Sequence, residues 1–308
     1  MTNPAHRVSR RGSRPPVARW VPYLFIAPYV VVTLAFFAYP FLHSIKLVFF
    51  QTAGPHARVW VGLDNFRYIL GDADFRKAVF NTVFFAVVGT ALVVPASLGL
   101  ALLLDAGKDR LKPFFRLVFF GPNVVAPIFA GIIFAVVFTP RYGLFNRFLQ
   151  DLTGWGFETR WLEDPALVMP AIVLANLWLC AGFYMVYFLA ALQNLDESLI
   201  DAARIDGAGR WGVFRHVTLP AIKPILVFVL LMCTIGSFQL FELPFALLRG
   251  TATPVGPANS ALFIVSYLYD AAYNVGDLGL ASAVGWVLAL IMLTVSLIQL
   301  KLSGSTQD

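Results

Sequence analysis

Six apolar stretches, each about long enough to cross the roughly 30 Å hydrocarbon core of a bilayer as a helix, dominate this chain of 308 residues. They cover residues 21–42, 79–104, 117–138, 168–192, 221–241 and 279–300. Inside lipid the backbone N–H and C=O groups find no water, so each stretch must pair them within itself as a helix. The runs are too long and unbroken for barrel strands. Composition agrees: only 13% of residues are charged, against about 25% in a soluble domain, and a mean hydropathy of +0.75 leaves more apolar surface than a water-soluble fold can hide. The expected class is all-α and polytopic, with six transmembrane helices in one body (21–302) between a basic tail (1–20) and a short end segment (303–308). Pro28, Pro40, Pro95, Pro122 and Pro127 lie within the stretches and predict kinks. The first stretch follows basic residues, as a secretory signal does. Its apolar run exceeds the roughly 7–15 residues of a signal core and no small-residue cleavage site closes it, so it reads as a retained span.

A net charge of +6 raises nucleic acid as a partner, and the placement of the charges removes it. Fourteen Lys and Arg fall in the N-terminal tail, the second and fourth connections and Lys301, while nine fall in the intervening segments. The positive-inside rule then puts both termini in the cytoplasm, and the arginines of the tail (Arg7, Arg10, Arg11, Arg14, Arg19) read as a topology signal in contact with anionic membrane lipid. Cys180 and Cys233 both lie in apolar blocks and behave as small hydrophobes, while His6, His43, His56 and His216 match no metal-ligand spacing. There is no HExxH, GxSxG or phosphate-loop motif, since Gly107-Lys108 is followed by Asp109. The chain is therefore not expected to be an enzyme or to hold a metal or cofactor, and any ATP must be bound by another chain. The outer connections are too short for a receptor domain, and 259–277, apolar but broken by Tyr267, Asp270, Asn274 and Gly276, fits a short interfacial or re-entrant helix leading into the sixth span.

The fourth connection (193–224) carries the most information. A short helix is expected from Glu197 or Ser198 to Asp206, with acids in its first turn, and Gly207 stands where a helix end needs a left-handed residue. Trp211, Phe214 and Val217 share a face on a second short helix, with Pro220 beginning the fifth span. Ala202 and Ala203 leave the first helix with a small face that fits a cleft on another protein.

The run Asp201-Ala202-Ala203, Asp206-Gly207-Ala208, Leu219-Pro220 and Pro224 resembles the EAA signature of the membrane permease subunits of binding-protein-dependent ABC importers, in order and in spacing. The likeness extends to Val61-Gly62-Leu63-Asp64-Asn65-Phe66, Asn81-Thr82, Trp161-Leu162-Glu163-Asp164-Pro165, Trp178 and the stretch from Asp270 to Ala283. Gly236-Ser237-Phe238-Gln239-Leu240-Phe241-Glu242-Leu243 is similar to the carbohydrate (maltose and glycerol-3-phosphate) branch, where Phe-Asn-x-Phe-Asp is usual. Two departures stand out: the signature Glu is Asp201, one methylene shorter, and the usual Gly-Gly-Gly-Pro after the fifth span is replaced by the run from Arg249 to Pro257.

The resemblance implies a type I importer permease in a bacterial or archaeal cytoplasmic membrane. It implies a second permease subunit, two ATP-binding subunits and an extracytoplasmic solute-binding protein as partners, and a sugar as cargo. The coupling helix that docks in a cleft of the ATPase would be carried by Asp201, Ala202, Ala203, Asp206, Gly207, Ala208, Phe214, Leu219 and Pro220. A path for a polar solute needs donors and acceptors inside the membrane, where they are costly unless they face a cavity. The candidates are Ser237, Phe238, Gln239 and Glu242 near the fifth span, Asn176, Trp178 and Tyr184 in the fourth, and Asn123 in the third. Amides beside aromatics suit sugars, whose ring faces stack while their hydroxyls take hydrogen bonds. A glycerol-3-phosphate or polyol cargo is the close alternative. An ion-coupled secondary transporter is the distant one, since it calls for inverted repeats and acids deep in the spans.

Overall fold

The computed structural model describes residues 20–54, 57–107, 110–154, 159–251 and 255–304. The tail arginines, His6, His56, Lys108, Asp109, the centre of the Arg249–Pro257 run (252–254) and the end segment from 305 lie outside the described residues. The chain divides at Lys46–Leu47 into two units. The first holds α1 (Val21–Thr33), a five-residue π turn (Leu34–Ala38) and all but the last residue of α2 (Tyr39–Leu47). Tyr23–Leu47 reads as one apolar helix long enough to span. The wide turn comes just before Pro40, whose missing N–H loosens the helical ladder there.

The second unit begins with a hairpin, β1 (Phe50–Ala53) and β2 (Ala57–Trp60), paired antiparallel with Phe50 opposite Trp60. It is the one pair of strands among the described residues, and the rest of the regular structure is helical, as expected. A short α3 (Asp64–Gly71) leads into α4 (Ala73–Asp105), then α5 (Lys112–Val124), α6 (Pro127–Val137), α7 (Leu144–Thr153) and α8 (Pro165–Gln193). Small helices α9 (Glu197–Ile205), α10 (Arg210–Val213) and α11 (Leu219–Ala221) precede α12 (Lys223–Phe238), α13 (Glu242–Leu248), α14 (Ile264–Tyr269) and α15 (Leu278–Leu302).

Among the described residues four helices are long and apolar enough to cross a membrane unbroken, and six spans result if two bent pairs each count as one. The third expected span is such a pair: α5 and α6 meet at 97°. Pro122 sits inside the last turn of α5, and Val125 and Ala126 are extended, the conformation forced on a residue that precedes proline, here Pro127. The fifth span is likewise shorter than read from sequence. The α10–α11 segment meets α12 at 69°, and it is Pro224 that stands at the start of α12, while Pro220 lies in the preceding short helix. The expected broken segment at 259–277 is found as α14 and the π turn Asp270–Asn274 that follows it.

Helices α4 and α8 pack along each other at the centre. One cluster joins them to α12 through Val93, Met185, Phe188 and Val229. Another joins them to α6 and α13 through Phe85, Ala130, Ile172 and Leu247. Side chains at the start of α4 hold the α14 segment: Asn81 Nδ2 donates to the carbonyls of Asn259 (2.9 Å) and Leu262 (3.0 Å), and Thr82 Oγ1 accepts from Ile264 N–H (3.0 Å). Asp277 fastens the hairpin to α15. Its Oδ1 takes the N–H groups of Gly279 and Leu280 at the helix start (3.0 Å each) and that of Thr52 (3.1 Å). The family-like residues Asn65, Asn81 and Thr82 are thus buried fasteners, with Asn65 Nδ2 donating to the carbonyls of Val48 (2.7 Å) and Phe50 (3.0 Å).

Backbones approach closely where glycine allows it. At Gly182 of α8 an added Cβ would fall on the Phe119 carbonyl of α5, whereas at Gly99 of α4 it would meet nothing within 4 Å. Gly182→Ala is therefore expected to destabilise the detergent-solubilised protein by about 1–3 kcal/mol through overpacking, and Gly99→Ala to leave its thermal transition in place. Equal transitions for the two variants would refute the close α5–α8 approach.

Candidate functional site

A cavity of about 620 Å³ opens at two of the helix breaks. Pro127, at the α5–α6 corner, forms one wall, and the non-helical link Gln239–Phe241 between α12 and α13 forms another. Helix α8 supplies Asn176, Cys180 and Tyr184 at four-residue spacing, which places them on one face, while α12 supplies Cys233 and Ser237 from its last turns. Phe241 has φ −145° and ψ −57°, so helical pairing stops there, and Gln239 N–H turns back to the Gly236 carbonyl (3.2 Å). Irregular backbone of this kind is tolerated at membrane depth where it borders a cavity.

The lining carries several polar groups. Asn176 Oδ1 accepts from the Cys180 thiol (3.5 Å), and the Ser237 hydroxyl donates to the Cys233 carbonyl (2.8 Å). Gln239 and Glu242 are exposed at the wall. Five sequence candidates therefore meet here: Asn176, Tyr184, Ser237, Gln239 and Glu242. Three do not. Trp178 lies two residues from Asn176, about 200° round the helix, with its ring edge-on to Phe134 at 5.4 Å. Phe238 is turned into the cluster with Ile264 and Val284 and borders a separate cavity of about 430 Å³ between α4, α12 and α15. Asn123 lies in the last turn of α5 and is not among the lining residues. The sequence reading missed the two cysteines, treated as plain hydrophobes. The signal that exposes them is the four-residue step Asn176, Cys180, Tyr184.

The second candidate region is the α9–α11 segment. Asp196 caps α9 by accepting from Ser198 N–H (2.9 Å), and this hydrogen bond holds its carboxyl below the ordinary carboxylate range. The cap is complete while Asp196 is ionised and is lost as pH falls through that lowered value. At the other end Gly207 has φ +85°, its N–H bonds to the Arg204 carbonyl (3.0 Å) and Ala208 N–H reaches the Ala203 carbonyl (2.9 Å), the paired bonds of a Schellman turn. The helix thus ends where its sequence predicts. Asp201 is exposed and paired with Arg204 at 3.2 Å, Ala202 and Asp206 are exposed, and Ala203 and Ala208 are half-buried. The rings of Trp211 and Phe214 meet at 5.4 Å, and a π turn (Phe214–Thr218) leads to Leu219, half-buried, and Pro220, exposed. Ile205 (86% exposed) and Trp211 (69%) leave large apolar surface uncovered beside the alanines.

A family description, binding-protein-dependent transport system inner membrane component, matches residues 94–303, which include both regions. The chain belongs to this family. It is thus a membrane transport component and not a catalytic subunit. The arabinooligosaccharides transport system permease protein AraP of Bacillus subtilis (strain 168) is 37% identical over 286 residues, covering 92% of this chain and 88% of that protein. The lactose transport system permease protein LacF of Rhizobium radiobacter is 33% identical over 278 residues, covering 90% and 92%. Among solved structures, a chain of a bacterial ABC transporter involved in the import of the acidic polysaccharide alginate superposes with a TM-score of 0.81 at 22% identity, covering 94% of this chain and 96% of that one. The fold is therefore that of a type I importer permease, a multi-pass membrane protein.

Water should reach the cavity wall but not the α8 core. In a chain with Cys180 and Cys233 replaced by Ser, Gln239→Cys is expected to react with a hydrophilic maleimide much faster than Phe188→Cys, which is fully buried. Equal labelling would show that the cavity is closed to water.

Proposed function

We propose that this chain is a permease subunit of an ATP-driven importer and carries a saccharide handed over by an extracytoplasmic binding protein. The observation that carries this reading is the polar cavity at the breaks of otherwise apolar helices, in a family of binding-protein-dependent transport components. The named functions of AraP and LacF, both saccharide permeases, support a sugar cargo. In this reading Asn176, Tyr184, Ser237, Gln239 and Glu242 form part of the solute path, and a second permease subunit completes it. Trp178, which packs on Phe134, and Phe238, which packs in the cluster with Ile264 and Val284, are left out of this path, as is Asn123, since none of the three lines the cavity.

The α9–α11 segment is the contact for one of two ATP-binding subunits and faces the cytoplasm, as do both chain termini. Ala202, Ala203 and Ile205 give α9 a compact surface, and the Schellman turn at Gly207 fixes its exit. Tyr184 lies about 14 Å along α8 from the end that leads to α9, so rigid α8 and α12 link the two regions. Coupling then consists of differential contacts of the ATPase with α9 in two states of the bundle.

Two measurements test these roles. Gln239→Leu is expected to reduce solute uptake by cells without reducing the amount of assembled importer, and unchanged uptake would move Gln239 out of the path. Gly207→Pro replaces a φ of +85° with one fixed near −65°, and is expected to abolish solute-stimulated ATP hydrolysis while membrane insertion persists. Normal transport by that variant would remove the coupling role from this turn.

A further inference from the structure

The charge of the cavity lining narrows the cargo further. Glu242 is the only carboxylate among the described lining residues, and no Lys, Arg or His lines the cavity among them. Its side chain is exposed at the wall and has neither an ion-pair nor a hydrogen-bond partner among the described residues. The remaining polar lining consists of uncharged groups (Asn176, Tyr184, Ser237, Gln239 and two thiols), which offer donors and acceptors to hydroxyls but no countercharge to an anion.

A carboxylate with no cation among the described lining residues repels a second anion that comes to the same wall, and more strongly the more water the cargo displaces, because the effective dielectric constant between the two charges then falls. An uncharged saccharide meets no such repulsion, and Glu242 accepts hydrogen bonds from its hydroxyls. We propose that Glu242 makes this cavity a charge filter, which accepts uncharged saccharides and turns away those bearing a carboxylate or a phosphate. This rests on the cavity being the saccharide path, and among the cargoes that the sequence leaves open it sets glycerol-3-phosphate on the rejected side, while an uncharged polyol stays on the accepted one. The filter acts after delivery, so it adds to whatever selection a binding protein makes. Rejection at this wall is negative specificity: it comes from an unfavourable contact with the wrong cargo and not from a tighter one with the right cargo.

The test titrates the purified importer complex, in detergent and without its binding protein, with maltose, lactose and cellobiose and with the same sugars carrying one primary alcohol oxidised to carboxylate. Isothermal titration calorimetry reads the ratio of affinities for each pair. The wild-type protein is expected to favour the uncharged member by about tenfold or more. Glu242→Gln is expected to bring the ratio to within about threefold of unity, and Glu242→Asp, which keeps the charge, to retain the preference. Glu242→Ser provides the same reading if the Gln variant fails to assemble. A ratio unchanged by removing the charge, or equal binding of both members by the wild-type protein, overturns the filter and leaves the saccharide path standing. Loss of both members on removing the charge overturns it too, making Glu242 a plain contact residue. Binding of none of the six probes by the wild-type protein overturns the saccharide path itself.

Discussion

The backbone governs this structure, because a peptide group inside lipid has no partner unless the chain supplies one. Long stretches satisfy that demand as unbroken helix, as α4, α8 and α15 do. Where the chain departs from a helix it must do so against protein or a water-filled space. The corner before Pro127 and the link Gln239–Phe241 are such departures, and both border the same cavity. Polar side chains gather there for the same reason: the space that relieves the backbone also relieves an amide or a carboxylate.

Packing follows from the same economy of polar groups. Lipid tails are as apolar as Leu, so helices associate through close fit and hydrogen bonds, not by escaping water. Glycines bring backbones together at Gly182 against α5 and at Gly131 against α13, where an added Cβ would stand 2.7 Å from the Ala246 methyl and the Leu243 carbonyl. Buried amides then join segments far apart in sequence, as Asn81 does with Asn259 and Leu262.

How far the chain could be read without a structure varied with the kind of signal. Spans are legible because length and hydropathy suffice, and the turn at Gly207 is legible because only glycine adopts φ +85° without strain. Of the prolines expected to kink the spans, Pro122 and Pro127 flank the 97° corner and Pro40 follows the π turn, whereas Pro28 and Pro95 lie inside continuous helices, so the presence of a proline gave neither break nor angle. Pro220 and Pro224 are equally good starters of a helix, and each stands in the first turn of one, Pro220 in the three-residue α11 and Pro224 in α12. Within a helix the 100° step sorts residues onto faces, which separates Asn176 from Trp178, but no sequence rule says which face meets the cavity. The hairpin escaped notice because its strands are four residues each and one, Ala57–Trp60, is exposed throughout.

The Asp277 junction bears on how the protein is made. The hairpin is synthesised early and is fastened by a residue more than two hundred positions later, through the Asp277 carboxylate and through the Thr52 hydroxyl, which accepts from Leu278 N–H (2.7 Å). The ribosome delivers α15 after every other described helix, so the junction at Asp277 forms only once the chain has been made more than two hundred residues beyond the hairpin that it fastens.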